Sequence, residues 1–82
     1  MNNTNQPEKK FVAGPIAVTI WNNKSEKNGE EFSFPTITID RNYKDKEGNW
    51  QHTNSLRASD LPKASVALSK AFEFLTLKEV KV

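Results

Sequence analysis

Two runs of alternating residues constrain this chain more than anything else in it. Ile16, Val18 and Ile20 alternate with Ala17, Thr19 and Trp21, and Ile37 and Ile39 alternate with Thr36 and Thr38. A period of two places one set on each face of a strand. Both runs therefore predict half-buried strands with one apolar face to cover. The C-terminal third supplies the cover. Ser59-Asp60-Leu61-Pro62 predicts a helix start, with Ser59 or Asp60 accepting from first-turn N–H groups and Pro62 harmless in that turn. The helix is expected to run to about Leu77. Leu61, Ala64, Ala67, Leu68, Ala71, Phe72, Phe74 and Leu75 fall within an arc of roughly 160°, broader than one contact surface demands. One side is expected to pack on the sheet, and the surplus, Phe72, Phe74 and Leu75 above all, to meet a second subunit.

The fold class expected is α+β: an antiparallel sheet of three to four strands followed by one C-terminal helix, dimeric through the helices. With 82 residues, the chain is one domain that buries only a little over roughly 60% of its unfolded surface. Residues 1–10 hold no aliphatic or aromatic residue after Met1 and are expected to form a disordered arm, leaving 11–78 as the domain and 79–82 as a tail. The first strand is read across Phe11 to Trp21, bent near its start by Gly14-Pro15, at an edge of the sheet. Residues 22–31 contain no apolar residue and include Asn28-Gly29, which predicts a loop. The second strand runs from Phe32 to Tyr43, with Pro35 at a bulge or an unpaired backbone position. The polar run from Lys44 to Asn49 predicts a reversal with Gly48 in a turn, and Trp50 to Arg57 a third strand. Lys78 to Val82 reads as tail or a short added strand.

Composition removes several kinds of chemistry. There is no cysteine, so no disulfide, thiolate nucleophile or thiolate metal site is available, and a reducing, cytoplasmic setting is expected. His52 has no second histidine with which to share a metal. The three glycines, at 14, 29 and 48, lie apart and form no phosphate loop. Glu30, Glu31, Asp45 and Glu47 sit among lysines with nothing apolar to raise a carboxyl pKa. The longest apolar stretch is too short for a membrane span. No cofactor and no enzymatic activity are expected.

What remains is aromatic rings interleaved with cations, the pairing that single-stranded nucleic acid binders use: a ring stacks on any base while Lys or Arg follows the phosphates. If the isoleucines and Val18 face the helix, Thr19, Trp21, Phe34, Thr36 and Thr38 face away on an open surface. Trp21 and Trp50 flank turns, where a core residue is less expected. Lys10, Lys44 and Arg57 are the cations counted with this surface. On strict alternation Arg41 and Tyr43 share the face of Ile39, and a bulge or the strand's twist is expected to free them.

Three segments resemble the single-stranded-DNA-binding domain of the positive cofactor four transcriptional coactivators and their small prokaryotic relatives. They are Phe11-x-x-Gly14 opening a strand, the run from Ile37 to Gly48 ending in an aromatic before an acidic turn, and Ser55 to Ala64 leading into a Pro-bearing helix start. The likeness covers about residues 11–77. It implies a four-stranded antiparallel sheet with a C-terminal helix, paired by a two-fold axis through the helices, with grooves for unpaired DNA. By position, Tyr43 takes the place of the family's stacking tryptophan, and Lys9 and Lys10 lie near its basic lead-in. Asp40 stands where the second strand's basic residue would be, with Arg41 one position on, and the 22–31 segment is longer and less basic.

The expected function is single-stranded nucleic acid binding, DNA or RNA, with low sequence preference and a regulatory, coactivator-like role. The nucleic-acid-binding residues are Lys10, Thr19, Trp21, Phe34, Thr38, Arg41, Tyr43, Lys44, Trp50 and Arg57. The alternative is a protein-interaction module whose exposed rings contact another protein, consistent with a net charge of only +2. An accessory subunit that completes an enzyme is a third.

Overall fold

The computed structural model describes residues 4–80, as a slab 49 × 42 × 18 Å. Four antiparallel strands in sequential order, β1 (Thr4–Ala13), β2 (Ile16–Lys27), β3 (Glu30–Lys44) and β4 (Trp50–Thr53), are followed by a 3₁₀ turn, Ala58–Asp60, and one helix, α1 (Leu61–Thr76). This is the α+β class expected, an antiparallel sheet followed by one C-terminal helix; the alternation accounts for three of its strands, and the fourth, β1, is drawn largely from the segment expected as a disordered arm. Among the described residues no helix is long and apolar enough to cross a membrane.

The core lies where α1 crosses β1 and β2. Ile16, Val18 and Ile20 are fully buried against Ala64, Ala67 and Ala71, with Phe11, Ile39 and Leu56 packed around them. The buried residues of the helix are all alanines, a small-residue stripe that lets its backbone approach closely, and Phe74 adds an edge contact to Phe11 of β1. Lengths decide how much it covers. Fifteen residues of β3 extend about 50 Å at a strand's rise, whereas sixteen residues of α1 span about 24 Å. The distal β2–β3 hairpin therefore runs past the helix.

That geometry corrects several boundaries. The segment 22–31, expected as loop, is strand except for the two-residue turn at Asn28 and Gly29, both at positive φ (54° and 79°). Beyond the helix's reach the hairpin is largely solvated, Asn23 apart, so polar residues suffice and no apolar parity marks the strand. The expected arm is β1 from Thr4 onward, paired with Ile16–Lys24; ladder hydrogen bonds rather than side-chain burial hold it, and residues 1–3 of that arm lie outside the described residues. The run Phe11 to Trp21 is not one strand, because the chain reverses at Gly14-Pro15 with Gly14 at φ 59°. Trp21 consequently sits in mid-strand, opposite Pro7 and Thr36, not beside a turn.

β4 stops at Thr53. There Thr53 Oγ1 accepts from Ser55 N (3.1 Å) and the Asn54 side chain donates to Ile39 O (3.0 Å), side-chain bonds that replace the ladder. Asp60 accepts from Arg57 N at 2.8 Å, capping the 3₁₀ turn ahead of α1 rather than α1's own first turn. Residues 77–80 follow the helix without adding a strand; the last two residues of the expected tail lie outside the described ones.

Candidate nucleic-acid interface

Register assigns every strand residue to a face, since residues directly opposite each other point the same way. Thr19 opposes Thr38 and Lys10; Trp21 opposes Thr36; Asn23 opposes Phe34; Asn42 opposes His52; Lys44 opposes Trp50. All of these stand on the face away from α1. Seven of the ten expected binding residues, Lys10, Thr19, Trp21, Phe34, Thr38, Lys44 and Trp50, thus share one helix-free surface.

The surface is built around Trp21. Its indole Nε1 donates to Thr38 Oγ1 at 2.9 Å, one residue diagonally across the strand pair. That bond holds the ring across the sheet beside Thr19, which is 4% exposed although no helix covers this face. Farther out, Asn23 Nδ2 donates to Thr36 Oγ1 (2.8 Å) and to Phe34 O (3.2 Å), and the Phe32 and Phe34 rings stack with centroids 5.9 Å apart. At the other end Lys44 Nζ lies 5.3 Å from the Trp50 ring centre. Asn23, buried on this face, is not among the residues expected there because it falls in the polar stretch 22–31; its parity with Trp21 is the signal that marks it.

Arg41, Tyr43 and Arg57 are elsewhere, contrary to expectation. No bulge interrupts β3; the only register shift in the β1–β2 pair falls between Pro7 and Lys9. Strict alternation therefore holds, and Arg41 turns to the helix side. There its Nε donates to Ser55 O (3.3 Å) and lies 3.5 Å from the buried Asp60 carboxylate, while its guanidinium sits 5.3 Å from the Tyr43 ring centre. Arg41 is a strut between sheet and helix start. Arg57 precedes the 3₁₀ turn, off the sheet altogether. Lys9 is likewise on the helix side, 5.8 Å from the rings of both Phe11 and Phe74.

The open face is only weakly basic, because Asp40 and Glu30 share it with Lys10, Lys27 and Lys44, the Asp40 carboxylate accepting from Asn54 Nδ2 at 3.2 Å. Among the described residues no group of three His, Asp or Glu side chains could hold a metal ion. At the turn before β4, Asp45 accepts from the backbone N–H of Asn49 and Glu47 (2.9 Å each) and from Gln51 Nε2 (3.2 Å). These bonds, Asn49's first, hold its carboxyl below the ordinary range.

On the helix side a second surface is left bare. Ile39, Leu56, Leu61, Leu68 and Phe72 line a groove of about 750 Å³ between α1 and β3, and Phe72 is 66% exposed. The three expected dimer residues divide: Phe72 belongs to this groove, Phe74 turns to Phe11 with ring centroids 6.3 Å apart, and Leu75 borders a smaller hollow with Asn22 and Pro35.

Compared with known proteins, no family model, curated protein or solved structure matches the chain.

Proposed function

We propose that this protein binds single-stranded nucleic acid along the helix-free face of its sheet, as a homodimer joined through the helix side, in the manner the positive cofactor four resemblance implies. The observation that carries the reading is the Trp21 indole, fixed across the open face by Thr38. Its N–H is already spent on Thr38, so the ring offers a π-face and no base-reading donor, which suits stacking without sequence preference. Phe34 is its diagonal neighbour, and the row of rings from Phe32 to Trp50 follows β3 for about 35 to 40 Å. The bare groove beside α1 supports the dimer: its rim is the same apolar helix surface that a second copy would present.

Titration with oligo-dT followed by tryptophan fluorescence tests the binding. Quenching is expected. With Lys10 and Lys44 as the cations of the face that no carboxylate opposes across a strand pair, log K should fall with log salt at a slope of about −1.4 per protomer. Trp21→Ala and Trp50→Ala should each weaken binding roughly 5- to 150-fold, the range for one stacked base, whereas Tyr43→Ala, on the other face, should not. Unchanged fluorescence at low salt overturns the reading. Sedimentation equilibrium tests the dimer, which Leu68→Glu should dissociate. The alternative, a protein-interaction module, draws on the weak charge of the open face; a stable protein partner that survives nuclease treatment and is lost in Trp21→Ala would favour it.

A further inference from the structure

At the end of the open face nearest the β1–β2 turn, Gly14, Pro15, Asn42 and Trp50 line an open concavity of about 500 Å³, within the size range of small-ligand pockets. Its walls are mostly apolar: the proline ring, the bare glycine backbone and an indole that is 68% exposed. Asn42 contributes the one side-chain amide. Its backbone is committed, with N donating to Pro15 O at 2.8 Å, which fixes the residue against the opposite strand. Its carboxamide makes no hydrogen bond to any described residue, leaving two donors and an acceptor beside the indole.

Two cations border the site. Lys44 lies against the Trp50 ring. From the helix side, the Lys63 side chain packs behind Gly14, with its Cδ 3.1 Å and its Nζ 3.4 Å from where a Cβ would stand. The turn is thus backed by an ammonium, and Gly14, already at positive φ, leaves room for it.

An indole for stacking, an uncommitted carboxamide at its edge and Lys44 against the ring, with Lys63 behind the turn, match a nucleotide whose base has left the strand. An asparagine amide pairs in bidentate fashion with adenine, accepting from N6 and donating to N7. We propose that the Asn42–Trp50 pocket takes one unpaired adenine, giving a single base-reading position to a surface that otherwise stacks without preference. This rests on the nucleic-acid reading above.

The test is anisotropy titration of labelled oligo-dT against oligomers of the same length carrying one adenine, its position varied. The adenine oligomer is expected to bind at least about fivefold tighter at one position, the lower end of what a bidentate pair discriminates. Asn42→Ala should reduce that affinity to the level of oligo-dT, and Asn42→Asp, which cannot donate to N7, should do the same if the alanine variant fails to fold. Tyr43→Phe should keep the preference. Binding of oligo-dT with no adenine preference, or a preference that survives both Asn42 variants, overturns the pocket and leaves the stacking surface standing. Binding of neither oligomer overturns both.

Discussion

Asp60 is one residue on which several parts of the fold converge. The residue is 5% exposed, and its carboxylate accepts from Arg57 N and lies beside the Arg41 guanidinium, so it ties β3 to the start of α1. Removing one partner of a buried, hydrogen-bonded pair leaves the other charge desolvated and unanswered. Asp60→Ala should therefore cost about 3 kcal/mol in urea denaturation, with Asp60→Asn losing less because the amide oxygen still accepts from Arg57 N. The Thr38 hydroxyl has a smaller task. Thr38→Val keeps the shape but removes the acceptor for the Trp21 indole, and should change stability by about 1 kcal/mol or less. Its larger effect should be a broadened, red-shifted tryptophan emission as the ring loses its fixed position.

The β2–β3 hairpin and its two boundaries carry the next scale. In a two-residue hairpin the residues flanking the turn, Lys27 and Glu30, form a hydrogen-bonded pair, and bonded and non-bonded pairs alternate from there. Asn22–Pro35 falls on a non-bonded pair, so the proline nitrogen points away from β2 and costs the ladder nothing. It points instead to an open edge, because β4 pairs only with Arg41–Lys44 and leaves β3 unpaired from Glu30 to Asp40. A proline there denies the edge a donor in the middle of an apolar stretch. Pro35→Val should leave stability within about 1 kcal/mol yet promote association beyond the wild-type state, visible as concentration-dependent light scattering.

The Asp45 turn sets the position of Trp50 and has a pH signature. Its carboxyl is held below the ordinary value by hydrogen bonds from Asn49, Gln51, Glu47 and Gly48, so the ionised form is favoured in the folded chain. A lowered folded pKa gives stability that is present above the unfolded value and lost as pH falls through the folded one. The midpoint difference between wild type and Asp45→Ala should be largest at neutral pH and shrink as pH falls through the ordinary carboxylate range and below it.

For the molecule as a whole, the consequence of a short helix on a long sheet is a thin core. Three large side chains are fully buried, Ile16, Val18 and Ile20, and each burial contributes about 1.5 to 3 kcal/mol. Ile20→Ala should cost about 3 kcal/mol, a large share of a small domain's total stability. Ala67→Leu should cost about 1 to 3 kcal/mol by lifting the helix from the sheet. Both are measurable by chemical denaturation.

The alternation of Ile16, Val18, Ile20, Ile37 and Ile39 was enough to fix sheet and parity, and with them the open face bearing Thr19, Trp21, Phe34 and Thr38, but not the helix's reach: it buries Ile16, Val18 and Ile20 and leaves Ile37 43% exposed. Side-chain period is a property of the strand itself, so it can be read without a partner. Asn28-Gly29 and Gly48 were legible for a related reason: positive φ is a local demand. What only the tertiary structure decided is where strands end and which cations join the face. Residues 4–10 and 22–27 are strands because neighbouring backbone pairs with them, a bond no side chain advertises. Arg41 and Tyr43 face the helix because β3 keeps its register without a bulge, and Asn42 faces the pocket because the Gly14-Pro15 reversal brings Pro15 opposite it. Those placements depend on which strand lies beside which, and that follows from packing the whole chain.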